Sequence, residues 1–218
     1  MNTTATVQRR FFGRFAIASA LLLGAAALFV SPARAADESP DALVQRISGD
    51  VLDTIKADKS IKAGEIDKIM LLVDSKIMPN VNFQRMTASA VGPAWRQATP
   101  EQQKRLQDEF KLLLVRTYSG ALTQVGPQTT IGLKPFRGSA TDKEVVVRTE
   151  VRGQGDPVQL DYRLANESGA WKIYDVNVLG VWLVEQYRSS FSQEIGTNGL
   201  DGLIGKLAER NKAAAAKG

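Results

Sequence analysis

From residue 143 onward the chain abandons helical periodicity for strict alternation, in successive runs of strand length. Lys143 to Val151 places Val145, Val147, Thr149 and Val151 on one face and Val146, Arg148 and Glu150 on the other. After Gly153-Gln154-Gly155-Asp156, the residues Val158, Leu160, Tyr162 and Leu164 alternate with Gln159, Asp161 and Arg163. After Asn166-Glu167-Ser168-Gly169 comes Trp171 to Val176. Alternation bounded by turn residues reads as half-buried strands. Connections this short join only antiparallel neighbours, because a parallel return needs a long crossover. Thr129 to Phe136 supplies a further strand. The expected core element is therefore a four-stranded antiparallel meander, apolar on one face and charged on the other.

The residues on either side read as helices. Ser39-Pro40-Asp41 is an N-cap with proline at the first helical position. Leu43, Ile47, Val51 and Ile55 follow at a spacing that makes one apolar face. A second helix is expected from about Glu65 to Lys76, carrying Ile66, Ile69, Met70 and Val73 and stopped by Pro79. Asn82 to Val91 is a short third. Thr99-Pro100-Glu101-Gln102 is a capping box that opens a helix with Leu106, Phe110, Leu113, Leu114 and Tyr118. Helices return over 181–195 and 200–210. Helices, meander, helices is an α+β order, with helices packed on the apolar face of one sheet. A twisted sheet covered in this way makes a cup.

Charge and composition matter mainly for what they exclude. Residues 1–35 hold Arg9, Arg10, Arg14 and Arg34 and no acid, an apolar run from Ala16 to Val30, and Ala33-Arg34-Ala35. Basic start, short apolar stretch and small-x-small end describe a cleaved export signal; the run is shorter than the ~20 residues a spanning helix needs. Arg9-Arg10-Phe11-Phe12-Gly13-Arg14 also fits the twin-arginine pattern, so either a Sec or a twin-arginine route is expected. Removing those four arginines from the 28 basic residues leaves 24 against 23 acidic ones, a net of +1. A near-neutral domain with no basic stripe is not a nucleic-acid binder. What remains, 36–211, is one domain, with 212–218 a low-complexity tail expected to fray.

The chain has no Cys and no His. That excludes disulfides, thiolate or imidazole metal sites and any His-based triad. No metal or cofactor is expected. Among carboxylates, Asp161 should face away from the cup and Asp175 could turn inward beside Tyr174, where a cup-shaped isomerase or hydrolase would keep a base. The ordinary role for such an Asp is turn capping or ion pairing. The cup-facing set is Leu133, Phe136, Val145, Val147, Leu160, Tyr162, Leu164, Trp171 and Ile173, with Val73, Ile77, Leu113 and Tyr118 from helices. Val181 and Trp182 join it from the segment after the sheet. A filled core is the usual outcome for such a face, and a ligand-free adaptor would have one. A cavity walled by branched aliphatics is the other, and the hydroxyls of Tyr118, Tyr162 and Tyr174, which need partners when buried, suit its mouth.

Several stretches together resemble the MlaC family of periplasmic phospholipid-binding proteins. They are Ala98-Thr99-Pro100-Glu101-Gln102 running into Phe110 and Leu113; Arg116 to Leu122; Val158-Gln159-Leu160-Asp161-Tyr162; Trp171 to Val176; and Gly199-Leu200-Asp201-Gly202-Leu203. None is specific alone; their joint order is. The resemblance implies an NTF2-like cup whose cavity holds the acyl chains of a glycerophospholipid as cargo. It also implies a monomer that exchanges lipid with an outer-membrane lipoprotein–porin complex and with an inner-membrane ABC transporter carrying an MCE-type substrate-binding subunit. Such a protein is not an enzyme.

Overall fold

The computed structural model describes residues 38–139 and 141–216. The expected export signal and its cleavage site fall outside them. Six helices and five strands follow in the expected order: α1 (Pro40–Ala57), α2 (Lys59–Lys62), α3 (Ile66–Leu72), α4 (Phe83–Val91), α5 (Pro100–Thr123), β1 (Thr130–Leu133), β2 (Glu144–Arg152), β3 (Val158–Glu167), β4 (Ala170–Val178), β5 (Val181–Trp182) and α6 (Leu183–Ala215). The expected caps are in place. Ser39 accepts from the Ala42 amide, and Thr99 and Gln102 close a reciprocal capping box at the start of α5.

The sheet is antiparallel throughout, in the order β1-β2-β3-β4-β5. It has five strands, where the sequence pattern predicts four. Val181 and Trp182, expected to open a helix, first pair back onto Val178 and Asn177. The cause is the two-residue turn before them. Leu179 and Gly180 both adopt positive φ, 54° and 89°, the twist that closes a tight hairpin. The Asn177 carboxamide holds that turn by accepting from the Gly180 amide at 2.8 Å.

Two further departures are local. The second predicted helix stops at Leu72, and Val73–Ile77 continues as one π-helical turn. Within it Ser75 donates its hydroxyl to the Leu71 carbonyl at 2.6 Å and lies 3.4 Å from that of Leu72. The two C-terminal helices run together as α6, interrupted at Gly199, whose φ of 71° and ψ of −172° are not helical. The helix continues through Ala215, into the stretch expected to fray.

Three apolar clusters hold the layers together. α1 lays Leu43, Val44 and Ile47 across the sheet onto Val145, Val147, Leu164, Trp171 and Ile173. Helices α4, α5 and α6 enclose Phe83, Phe110, Tyr187 and Phe191, whose rings meet at 5.0–5.8 Å between centroids. Ile55, Ile61, Ile69, Leu72 and Val115 form the third. Val81 and Val176 pack against both of the first two, and Val51 against the first and third.

Candidate functional site

The apolar sheet face is organised in cross-strand rungs. Val145, Leu164 and Ile173 lie side by side, all buried under α1. In the next rung Val147 is fully buried, but its neighbours Tyr162 and Val176 are only half-buried. In the third, Thr149 is buried while Leu160 and Val178 are half-buried. Beyond it Val181, paired with Val178, is 49 % exposed. The face is therefore closed at one end and opens progressively toward the β4–β5 hairpin.

Tyr162 carries the most information. Its surroundings are dense enough that burial pushes its phenol above the ordinary value, with the Ser48 and Thr149 hydroxyls drawing it partly back. Yet the residue keeps accessible surface. The ring packs against the cluster beneath α1 and is left partly uncovered. Tyr118 behaves similarly on α5: it is half-buried, and burial, then the neighbouring Tyr187, raises its phenol.

The residues expected to line a cup thus separate. Val145, Val147, Leu164, Trp171 and Ile173 are packed beneath α1, and Leu113 is packed among the helices. Leu133, Leu160 and Tyr162 on the sheet are half-buried, as is Phe136, which lies beyond the end of β1 rather than in the longer strand expected to reach it. Of the helical residues, the half-buried Tyr118 packs against the α4–α6 cluster and Val73 against the third, and Ile77 is half-buried. Leu133 also borders a surface cleft of about 360 Å³ along β1, with Lys134, Glu150 and Arg152. Trp182 does not join the lining. It pairs with Asn177 on the other sheet face and lies under Arg163, whose guanidinium carbon is 3.9 Å from its ring centre. Val181 is at the rim. Val176 and Val178, not anticipated as lining, belong to this face because β4 bulges at Tyr174: Arg163 pairs with Asp175, but Leu164 pairs with Ile173. The sequence signal was present in the apolar spacing 171, 173, 176, 178, where the step of three marks the extra residue.

The bulge also decides Asp175. It turns outward, away from the apolar face, and is 1 % exposed. One oxygen accepts from the Val176 and Val184 amides at 2.9 and 3.1 Å, and the other from Arg163 at 3.0 Å. Val184 lies in the first turn of α6, so this is a helix N-terminus stabilised by a carboxylate. Burial raises the Asp175 carboxyl above its usual value, and these donors offset part of the rise. Tyr174 takes separate partners: its hydroxyl donates to Glu144 at 2.9 Å and Arg85 covers its ring. Arg85 and Tyr174 in turn hold the Glu144 carboxyl below its usual range. The charged outer face buries Asp161 and Asn177 as well. No group of three or more Asp and Glu among the described residues is arranged to hold a metal ion.

Comparison with known proteins agrees with this architecture. Residues 45–209 match the profile of a family described as MlaC protein. The toluene tolerance protein ttg2D of Pseudomonas putida is 28 % identical over 188 residues, covering 82 % of this chain and 86 % of that one. The intermembrane phospholipid transport system binding protein MlaC of Haemophilus influenzae is 24 % identical over 187 residues, covering 84 % and 87 %. Among solved structures, a phospholipid-binding protein from Ralstonia solanacearum, in complex with a phospholipid at 1.53 Å resolution, superposes with a TM-score of 0.77. It is 46 % identical, and the match covers 80 % of this chain and 98 % of that one.

Proposed function

Because the chain belongs to the MlaC family, we propose that it is a periplasmic phospholipid carrier. Its NTF2-like cup takes the acyl chains between the half-buried part of the sheet face (Leu133, Leu160, Tyr162, Val176 and Val178), with Phe136 just beyond β1, and the helical residues Val73, Ile77 and Tyr118. The head group sits toward the β4–β5 hairpin. The observation that carries this reading is the pattern of rungs: apolar side chains deep in the fold that are not fully covered. The phospholipid seen in the Ralstonia relative supports it.

The physical need for such a carrier is large. Two acyl chains hold roughly 30 methylenes at about 0.8 kcal/mol each, so on the order of 24 kcal/mol opposes release of a lipid into water. A hydrocarbon-lined cup removes most of that barrier, and transfer from bilayer to cup exchanges one apolar medium for another. Direction must then come from partners. The lipid is exchanged between an outer-membrane lipoprotein–porin complex and an inner-membrane ABC transporter with an MCE-type subunit, where ATP hydrolysis supplies the work. Export by the signal over residues 1–35 delivers the monomer to the compartment between them. Contacts to chains are non-directional, so selectivity among head groups should be weak.

Native mass spectrometry of the mature protein, purified from periplasm without detergent, tests the proposal. The expected result is an added mass that solvent extraction resolves into diacyl phospholipid. A bare protein mass that gains nothing from liposomes would instead identify a ligand-free adaptor.

A further inference from the structure

Buried tyrosine hydroxyls nearly always find a partner, and Tyr174 has one in Glu144. Tyr162 is different. Among the described residues its hydroxyl has no hydrogen-bond partner meeting ordinary geometry, and it is not among the sealed, unpartnered polar atoms. The residue keeps accessible surface, so this hydroxyl is not sealed off. Its polar neighbours are the hydroxyls of Ser48, on α1, and Thr149, diagonally across β2 and β3. Thr149 gives its own proton to the Leu160 carbonyl at 2.9 Å. The charge felt at the phenol is that of the acidic Asp161. A phosphate would be poorly matched to this spot, since oxyanions favour cationic or multiple donors. A neutral acceptor is well matched to a neutral phenol.

Resting on the carrier reading, we propose that the Tyr162 hydroxyl donates a hydrogen bond to an ester carbonyl of the bound phospholipid. It stands in the middle rung, one rung or about 7 Å inside Leu160 and Val178. The bond fixes how far the glycerol enters before hydrocarbon begins. It is the one directional contact in an otherwise slippery cup, and it makes the protein a reader of ester linkage without making it a reader of head groups.

The test uses two phospholipids with the same head group and chain length, one diester and one diether, the latter having phosphate but no carbonyl. Lipid-stripped mature wild type, Tyr162→Phe and Tyr174→Phe are offered equal amounts of both in mixed vesicles, and uptake is read by native mass spectrometry. Wild type is expected to favour the diester about fivefold, the worth of one neutral hydrogen bond. Tyr162→Phe should show no preference, with diester uptake reduced to the diether level. Tyr174→Phe, on the outer face, should match wild type. Equal uptake of both lipids by wild type, or an unchanged preference in Tyr162→Phe, overturns the ester contact and leaves the carrier intact. Failure of wild type to take up either lipid overturns the carrier reading itself. The wild-type ratio needs no variant, so the outcome does not depend on Tyr162→Phe folding.

Discussion

At Asp175 a single side chain ties β4 to the start of α6 through the Val184 amide and to β3 through Arg163. Asparagine keeps the oxygen that caps the helix; alanine removes it. Asp175→Ala is therefore expected to cost about 1 kcal/mol or somewhat more in urea unfolding, the usual range for a lost cap. Asp175→Asn should cost less. The pH dependence follows from the direction of the shift. Burial raises the folded-state carboxyl pKa, so its contribution is fully present below the unfolded value and is lost as pH rises through the folded one. Relative to wild type, Asp175→Asn should then fare better at neutral pH than at pH 3. An alanine variant as stable as wild type would remove the capping role. Capping or ion pairing was legible in the sequence as the ordinary fate of an Asp at a strand end. Its outward direction was not, because that depends on the extra residue at Tyr174.

Among the elements, α1 divides the sheet face into covered and open parts, and a charge placed on each part should act differently. Val147→Glu puts a carboxylate at a site with no exposure, in contact with α1. Without a partner there it is expected to cost several kcal/mol, so the variant should lose its cooperative melt. Leu160→Glu lies in the open rung. It should fold, keep its circular dichroism spectrum, and lose lipid loading. Normal loading of the folded variant would move the lipid elsewhere. Alternation assigned Val145, Val147, Leu160, Tyr162 and Leu164 to one face correctly, since a period of two fixes side. It cannot report depth, which depends on where α1 crosses. Nor could period alone anticipate the π turn at Val73–Ile77, or β5, which follows a turn in which a leucine takes positive φ.

For the whole molecule, lipid and protein form one thermodynamic unit. Anything that binds only the folded state stabilises it by mass action, about 2.7 kcal/mol at a hundredfold excess over Kd. Stripping the lipid should lower Tm by on the order of 5–10 °C for a domain of this size. An unchanged Tm would mean that no cargo stabilises the folded chain. The α+β order was legible because capping signals and alternation are local, and the family because several stretches stand in one order along the chain. The open end was not, because it is a property of three layers together. The strand order has one more consequence. Every strand lies beside its neighbour in the chain, so each pairing closes only a short loop and loses little entropy. The long closures are left to the ends of the chain, where α1 meets β2 and α6 meets α4. In kinetic terms the receptacle is cheap to start and slow to shut. Contacts between distant segments set the pace of folding, and here those same segments form the walls.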